Sequence, residues 1–323
     1  MSATEPHGIS VIVPVFQSQE TLVTLVDRVR AVLNGTTPFE IVLVDDGSAS
    51  TTWQTIERLA QADPDVVGVR LSRNYGQHNA LLAGVRRARF SLAATIDDDL
   101  QNPPEELPRL IAYLEGQDLD VVYGVPGKVE ESLWRRMAGR VSRRAMRSAL
   151  GMKHAPEVSS FRVFRTRLRT AFSGSLGTNV SLDALLAWGT TRFGSITVEH
   201  APRAAGTSNY TFSKLLRFAL DTTTGYSAVP LQVASITGLI AAMFGVLVLG
   251  WAVLRPLLTG ESVPGFPFLA STIAIFSGVQ LFTLGIIGEY LARMHFRVMS
   301  KPTYVVWEST DTITEAGSTP ADE

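Results

Sequence analysis

Short apolar segments alternate with longer amphipathic segments through the first part of the chain. The short segments are rich in β-branched residues, as in buried strands, and the longer ones place apolar residues at helical spacing. This pattern predicts strands at 9–15, 40–44, 66–71, 91–96 and 120–123, and helices at 20–33, 51–62, 79–87 and 105–115. Such an order predicts an α/β fold whose mostly parallel sheet is covered by helices on both faces.

Polar residues follow four of these predicted strands at the points where the strands end. They are Pro14 to Gln17, the Asp45-Asp46-Gly47-Ser48 turn, residues 72–78 and the acidic run that begins at Asp97. Because the carboxyl ends of parallel strands meet at one edge of a sheet, we expect these loops to assemble a nucleotide site. The chain has no Gly-x-Gly-x-x-Gly or Walker-type loop, so metal and arginine are expected to hold the phosphates.

Three consecutive aspartates, Asp97, Asp98 and Asp99, come directly after the apolar segment 91–96. Their carboxylates repel one another, and a divalent cation that carries a substrate diphosphate would relieve this repulsion. The alternative is a solvated acidic turn before a helix that begins at Pro104, with Glu105 and Glu106 at its positive end. The metal is favoured, because a simple turn does not explain three aspartates next to a hydrophobic strand.

The second part of the chain contains two long uncharged stretches, 222–254 and 262–288. Each has the roughly 20 apolar residues that a membrane-crossing helix needs, so we expect a transmembrane hairpin. Basic residues flank the outer ends of both stretches (Lys214, Arg217, Arg293, Arg297 and Lys301), whereas the connecting loop has only Arg255. Since basic residues stay on the cytoplasmic side, both termini are expected there, and a multi-pass protein of the inner membrane is predicted.

The remaining composition excludes several classes of function. The chain has 323 residues, a formal net charge of −1 and no cysteine, which rules out disulfides, thiolate zinc sites and a cysteine nucleophile. Six arginines, among them Arg135, Arg136 and Arg140, interleave with apolar residues over 130–150 and predict a basic amphipathic helix. This helix either has an ordinary solvated face or lies on an anionic leaflet, and its local charge does not favour nucleic acid as a partner.

Four motifs, in this order and spacing, resemble those of family 2 glycosyltransferases with the GT-A fold. They are Val-Pro-Val-Phe at 13–16, Val-Asp-Asp-Gly-Ser at 44–48, Arg-Asn-Tyr-Gly-Gln-His-Asn-Ala at 73–80, and Asp-Asp-Asp-Leu-Gln-Asn-Pro-Pro-Glu-Glu at 97–106. Residues 9–304 are most similar to the polyprenyl-phosphate subgroup, which includes dolichol-phosphate mannose synthase and the undecaprenyl-phosphate aminoarabinose and glucose transferases. The resemblance does not specify the sugar or the nucleotide.

The resemblance assigns roles to residues on the donor side. It implies that Asp97, Asp99 and Gln101 bind Mg²⁺ or Mn²⁺, and that Asp98 is the least important of the three aspartates. The nucleotide-binding residues that it implies are Pro14, Phe16, Asp45, Asp46, Arg73, Asp97 and Asp98. The chain departs from its relatives at Gln17-Ser18, where they have Asn-Glu, and at Ser50, where they often have aspartate.

The acceptor side rests on two further segments. Residues 157–162 resemble the family's Asp-x-Gly-x-Phe-Arg segment, with Glu157 in place of aspartate and Arg162 as a candidate for the acceptor phosphate. Residues 200–210 resemble a loop in which Arg203 clamps a phosphate, with Ser208 and Tyr210 near the acceptor and the membrane surface. The resemblance implies that Asp99, Arg162, Arg203 and Glu157 are the catalytic group.

Together these features predict a metal-dependent, inverting transfer of sugar from a nucleotide sugar to a polyprenyl phosphate, by a homo-oligomer that resembles tetrameric relatives. A processive polysaccharide synthase and a non-catalytic membrane scaffold are the alternatives. The predicted organisation is a disordered start (1–8), a catalytic domain (9–209), an interfacial helix (210–229), two membrane helices (230–254 and 264–288), a cytoplasmic segment (289–306) and a disordered tail (307–323).

Overall fold

The structure is a computed structural model that describes residues 5–127, 158–172, 181–200, 229–259, 265–298 and 302–311. The described residues form two compact units. The first contains residues up to 200 together with 302–311, and the second contains the two long helices.

The first unit is built on one eight-stranded sheet with the order β7-β5-β6-β4-β1-β2-β3-β8. Its strands are β1 (Ile9–Val15), β2 (Phe39–Asp45), β3 (Val66–Leu71), β4 (Leu92–Thr95), β5 (Val121–Pro126), β6 (Arg162–Arg165), β7 (Phe193–Val198) and β8 (Val306–Ser309). The four pairs β1–β2, β1–β4, β2–β3 and β5–β7 are parallel, and only β6 and β8 run against their neighbours. The predicted α/β class with a mostly parallel sheet is confirmed.

Helices cover the sheet on both faces. They are α1 (Gln19–Leu33), α2 (Ser50–Ala62), α3 (Gln77–Arg87), α4 (Leu107–Gly116) and α5 (Leu182–Gly189), with 3₁₀ turns at Pro104–Glu106 and Thr166–Phe172. Along β1, Val11 and Val13 pack into the core with α1, α2 and α4, whereas Ile12 packs into the core with α3 and α5. Because both faces of β1 are buried, its sequence is a nearly continuous apolar run.

The end of the first unit differs from the prediction of a disordered tail over 307–323. β8 pairs antiparallel with β3, and Arg70 donates to Glu308 at 3.0 Å. The Gly68 amide also donates to the Thr310 hydroxyl at 2.8 Å. Without β8, the backbone groups along the outer side of β3 would be unpaired at the edge of the sheet. The pairing is between segments far apart in the sequence, so the polar composition of 307–311 alone does not indicate it.

The predicted disordered start, 1–8, is also wrong for residues 5–8. Pro6 and Gly8 accept hydrogen bonds from the amides of Ser91 and Leu92 at 2.9 and 3.1 Å, and Glu5 pairs with Arg169 at 2.8 Å. These backbone bonds lead the chain into β1 beside β4, so the segment is tied to the sheet even though it is polar.

Replacing Asp120 with asparagine is expected to lower the free energy of unfolding of the first unit by about 2 kcal/mol at neutral pH. Asp120 is buried directly before β5, at the sheet edge opposite the polar loops. Its carboxylate accepts hydrogen bonds from Arg192, Thr190 and Arg167, and Arg192 contributes most to holding its pKa well below the ordinary value. Thermal unfolding of the parent and the variant measures the difference.

The ion pairs of Asp120 also determine how the loss of stability in Asp120→Asn depends on pH. Because the folded-state pKa of Asp120 is lowered, its contribution is complete above its ordinary value of 3.8 and is lost as the pH falls below that value. The parent and Asp120→Asn should therefore converge in stability under acid conditions. A difference that stays constant from pH 7 to pH 3 would contradict this role of the carboxylate.

The second unit consists of two long helices, α6 (Val229–Thr259) and α7 (Gly265–Val298). The two helices pack closely where Gly245 faces Phe276. A Cβ atom added at Gly245 would lie 2.3 Å from the Phe276 ring. Both helices extend beyond the predicted membrane spans at 230–254 and 264–288, and α7 takes up much of the segment predicted at 289–306. Among the residues that the structure describes, no helix has the combined length and apolarity that crossing a membrane requires.

Candidate functional site

The polar loops that follow β1 to β4 meet at the carboxyl edge of the sheet. β1 pairs with β2 on one side and β4 on the other, with Val15 opposite Asp45 and Ile12 opposite Thr95. The residues just beyond these strand ends are therefore neighbours, as their positions in the sequence predict.

The two aspartates after β2 are both buried, and each has a defined set of partners. Asp45 accepts a hydrogen bond from the Ser48 amide at 2.9 Å, and its other oxygen lies 3.7 Å from the Arg70 guanidinium. Among the described side chains, that second oxygen is a buried acceptor with no hydrogen bond. Asp45 therefore retains acceptor capacity at this edge, in keeping with the predicted contact to a nucleoside.

Asp46 shapes the loop between β3 and α3. Its two carboxylate oxygens accept the backbone amides of Tyr75 and Gly76 at 2.7 and 2.8 Å. Burial raises the pKa of Asp46, and these two amides oppose that rise. The predicted contact of Asp46 with a nucleoside remains a prediction, since both oxygens already hold this loop.

The same loop carries Arg73, whose guanidinium lies 4.4 Å from the centre of the Tyr75 ring. Arg73 is exposed, so its charge is accessible at the site edge. Pro14 is buried within β1, and the Phe16 ring is 45% exposed just beyond it. An exposed aromatic ring at the same sheet edge as a buried acceptor is an arrangement that suits a nucleotide base.

Replacing Gly47 with alanine is expected to lower the melting temperature and weaken nucleotide binding. Gly47 has a φ of +71°, and an added Cβ would lie 2.4 Å from the Arg73 carbonyl carbon and 2.5 Å from the Asn74 nitrogen. The clash is with backbone, so the 72–76 loop must move. Gly35→Ala is the matched control, because Gly35 has a φ of +75° and no atom within 4 Å of the added Cβ.

The control separates the two effects of the extra methyl group. Gly35→Ala should cost about 1 kcal/mol through backbone strain alone. Gly47→Ala should cost at least about 1 kcal/mol more through overpacking. Equal losses in thermal unfolding would show that the close approach of the two loops is unimportant.

The acidic loop after β4 is held by bonds from three directions. Asp97 accepts hydrogen bonds from the side-chain amide of Gln77 at 2.6 Å and from the Ser160 hydroxyl at 2.5 Å. Asp98 accepts the Phe16 amide at 3.4 Å, which connects this loop to the one after β1. The Gln101 amide donates to Asp99 at 3.2 Å.

Asp98 is therefore a link between two loops, a role that the sequence does not indicate. Its pKa is raised to about 6, mainly by burial and in smaller part by the neighbouring Asp97 and Asp99 charges, while the hydrogen bonds from Ser18 and Phe16 oppose the rise. The expectation that Asp98 matters least of the three aspartates did not include this link, and it remains a prediction.

A cavity of about 440 Å³ opens between the loop after β1 and the beginning of α2. Asp99 is the member of the acidic run that lines it; the other lining residues are Gln17, Ser18, Gln19, Glu20, Thr21, Ala49, Thr51 and Thr52. Gln17 and Leu100, which directly follows Asp99, have φ angles of 58° and 60°. Non-glycine residues in this region are uncommon, and strain of this kind is frequent at functional sites.

The oxygen donors of the acidic loop suit a hard divalent cation. Asp97, Asp99 and Gln101 offer carboxylate and amide oxygens, and Mg²⁺ or Mn²⁺ is commonly bound by one or two carboxylates together with substrate phosphates and water. Within the described ranges, no group of three or more His, Asp or Glu side chains is arranged to hold a metal ion. Two carboxylates and one amide would leave coordination positions of such a cation for substrate phosphate oxygens and water.

Arg162 lies in β6 and is only 2% exposed. Its guanidinium pairs with Asp183 and donates to the Thr95 hydroxyl at 3.0 Å, and Tyr123 donates to the same carboxylate at 3.0 Å. Burial alone would lower the pKa of Arg162, but the facing Asp183 charge reverses this and raises it. The residue predicted to bind the acceptor phosphate is thus a buried ion-pair partner in this structure.

The other predicted residues of the acceptor side lie outside the described ranges and remain predictions. They are Glu157, Arg203, Ser208, Tyr210 and the arginines Arg135, Arg136 and Arg140 of the proposed basic helix. In contrast, Gln77 and Ser160 lie at the site but were not predicted. Gln77 belongs to the motif at 73–80 and Ser160 to the segment at 157–162, in which other residues were assigned roles. Nothing in the sequence connects Asp183 with Arg162.

Comparison with known proteins places this chain in a family. Residues 10–172 match the model described as Glycosyl transferase family 2. The undecaprenyl-phosphate 4-deoxy-4-formamido-L-arabinose transferase of Pectobacterium carotovorum is 33% identical over 321 residues, which is 98% of each chain. The enzyme of the same name from Yersinia enterocolitica is 33% identical over 92% of each chain.

A solved structure supports the fold independently. Glucosyl-3-phosphoglycerate synthase from Mycobacterium tuberculosis, in complex with Mn²⁺, UDP and glucosyl-3-phosphoglycerate, aligns with a TM-score of 0.50 and 18% identity. The alignment covers 68% of this chain and 78% of that one. The first unit therefore shares its fold with that synthase. The chain belongs to glycosyl transferase family 2 and is a glycosyltransferase.

Proposed function

We propose that this enzyme transfers a sugar from a nucleotide-sugar donor to a polyprenyl phosphate at the cytoplasmic face of a membrane. The observation that carries the proposal is the 33% identity with an undecaprenyl-phosphate transferase over 98% of both chains. That similarity continues well past the family domain at 10–172 and through both long helices. A resemblance confined to donor binding would not need to include them.

On the donor side, the nucleoside would lie against Phe16 and the Asp45 oxygen that accepts no hydrogen bond from the described residues, with Arg73 near its phosphates. Asp97 and Asp99, with Gln101, would hold Mg²⁺ or Mn²⁺. When bound, the cation neutralises the charge that develops on the diphosphate as the glycosidic bond breaks. Asp98 would keep the loops after β1 and β4 together around the donor.

On the acceptor side, the nucleophile is a phosphate oxygen that is already anionic at neutral pH. It forms a bond to the anomeric carbon while the bond to the nucleoside diphosphate breaks, so the configuration inverts and the diphosphate leaves with both electrons. Such an acceptor hardly needs a general base. Arg203, from the phosphate-clamping loop, is the residue we expect to orient it.

The membrane part of the proposal rests on α6 and α7. The helices have 31 and 34 residues, so they are roughly 46 and 51 Å long. Large apolar side chains on both are strongly exposed, among them Leu247 at 69%, Leu258 at 75% and Leu281 at 69%. Contiguous apolar surface of this kind is costly in water, and we propose that lipid covers it, with both outer ends cytoplasmic.

The basic helix predicted over 130–150 would add to membrane attachment by lying on anionic lipid. The formation of a homo-oligomer is a further part of the proposal, and it rests on resemblance alone. Neither feature is needed for the chemistry described above.

The proposal is tested by sugar transfer with the full chain, purified in detergent and returned to vesicles. Labelled UDP-, GDP- and dTDP-sugars are supplied with undecaprenyl phosphate or, as a control, with undecaprenol. We expect label in the lipid extract only with the phosphate, and its loss when EDTA removes the cation. Equal labelling of undecaprenol, or transfer only to a water-soluble acceptor, would overturn the proposal.

A further inference from the structure

The acidic loop connects with a buried polar cluster on the neighbouring strand. β4 and β6 pair antiparallel with Thr95 opposite Arg162. Continuing the same register by two residues places Ser160 opposite Asp97. Their side chains meet there, with the Ser160 hydroxyl 2.5 Å from the Asp97 carboxylate.

The hydrogen bonds continue inward from that contact. The Thr95 hydroxyl donates to the Ser160 carbonyl at 2.5 Å and accepts from the Arg162 guanidinium at 3.0 Å. Arg162 pairs in turn with Asp183, which is 6% exposed. A continuous series of bonds therefore runs from a buried ion pair to one oxygen of Asp97.

The second oxygen of Asp97 is held from the other side. Gln77, at the first position of α3, donates its amide to that oxygen at 2.6 Å. The preceding residue, Gly76, is fixed because its amide donates to Asp46 at 2.8 Å. These bonds restrict both the rotation and the displacement of the Asp97 carboxylate, although Asp97 lies outside regular secondary structure, at the beginning of the acidic loop.

From this arrangement we infer that Gln77, Ser160 and Thr95, braced by the Arg162–Asp183 pair, are positioning residues that orient Asp97 to bind the divalent cation of the donor complex. We call these five residues the Asp97 support. The inference rests on the proposed function, since it assumes that Asp97 binds a cation. It assigns Arg162 a part in donor binding through other residues, in place of direct contact with the acceptor.

The physical basis is the effect of partners on a metal ligand. A carboxylate that two donors already hold loses less conformational freedom when it binds a cation, and its lone pairs point in a fixed direction. Removing such outer partners typically weakens metal affinity by 10- to 100-fold, even though no ligand is lost. The expected result is therefore a change in cation affinity with little change in fold.

Two variants test the support from opposite sides. Ser160→Ala removes one donor, and Gln77→Met removes the other at an exposed position where folding is not at risk. Ser195→Ala, at a similarly half-buried serine on β7, and Gln61→Met, at an exposed glutamine on α2, are the matched controls. Ser160→Thr retains the hydroxyl and should restore binding.

The primary measurement is binding of Mn²⁺ alone to the purified full chain, followed by the electron paramagnetic resonance signal of free Mn²⁺. We expect each test variant to bind about tenfold more weakly than the parent, and the controls and Ser160→Thr to match the parent. In transfer assays, the cation concentration for half-maximal rate should rise in parallel, while the KM for undecaprenyl phosphate stays unchanged.

The outcomes separate this inference from the function on which it rests. If Asp97→Ala loses Mn²⁺ binding while Ser160→Ala and Gln77→Met bind like the parent, the Asp97 support is refuted and the proposed site stands. If Asp97→Ala itself binds Mn²⁺ like the parent, the cation assignment fails and this inference fails with it. A higher KM for the acceptor, with unchanged Mn²⁺ binding, would also overturn the inference.

Discussion

Replacing Asp99 with alanine is expected to lower the rate of sugar transfer at least a thousandfold at saturating Mg²⁺ or Mn²⁺. The variant loses a carboxylate that lines the cavity and is proposed to hold the cation on the donor diphosphate. Stabilisation of a leaving diphosphate by a metal ion contributes several kcal/mol to the barrier, and about 4 kcal/mol corresponds to a factor of a thousand. The measurement is the initial rate of label transfer to undecaprenyl phosphate in vesicles.

Asp65→Ala is the matched control for this experiment. Asp65 is an exposed aspartate directly before β3, at the sheet edge opposite the site, so its loss should leave the rate unchanged. The Asp99 carboxylate accepts a hydrogen bond from the Gln101 backbone amide at 3.2 Å within its own loop, and near-ultraviolet circular dichroism of Asp99→Ala checks that the fold is intact. A rate within tenfold of the parent would mean that Asp99 does not hold an essential cation.

The second large effect is expected from Arg162→Met. The substitution leaves the Asp183 carboxylate buried without its cation, and breaking one side of a buried ion pair typically costs about 3 to 5 kcal/mol. For a unit of this size, that loss corresponds to a fall of roughly 10 °C in melting temperature. Thermal unfolding in detergent, followed by near-ultraviolet circular dichroism, measures it.

Two further variants identify the cause of that loss. Arg109→Met makes the same change at an exposed arginine of α4 and should shift the melting temperature by less than about 2 °C. The double variant Arg162→Met/Asp183→Leu removes both charges and should recover most of the stability. If the double variant is no more stable than Arg162→Met, the uncompensated carboxylate is not the cause.

The local pattern of the sequence is sufficient for most of the sheet and its helices. β1 and β3 have the predicted bounds, and α1 and α2 begin within one residue of the predicted positions. β5 continues to Pro126, beyond its predicted end at 123, because β7 pairs with it through Pro126 opposite Val198. Its length thus depends on a strand that lies far away in the sequence.

In the site, too, the local sequence pattern predicts some features, whereas others depend on contacts between distant segments. Asp97 and Asp99 could be placed at the sheet edge from the order of strands alone, since parallel strands present their carboxyl ends together. The partners of Asp97 could not be placed in this way, because Gln77 lies at a helix start and Ser160 lies just before an antiparallel strand. Ion pairing of Arg162 with Asp183 spans 21 residues and two elements, and no spacing rule connects them.

The edge strand β8 has a consequence for how the protein is made. In the sheet β8 protects β3, but in the chain it follows β3 only after both long helices. At the usual speed of translation, roughly 10 to 50 s separate the synthesis of the two strands. Throughout that interval the ribosome-bound sheet has an open edge, so the nascent enzyme is most exposed to faulty strand pairing while its helices are being synthesised.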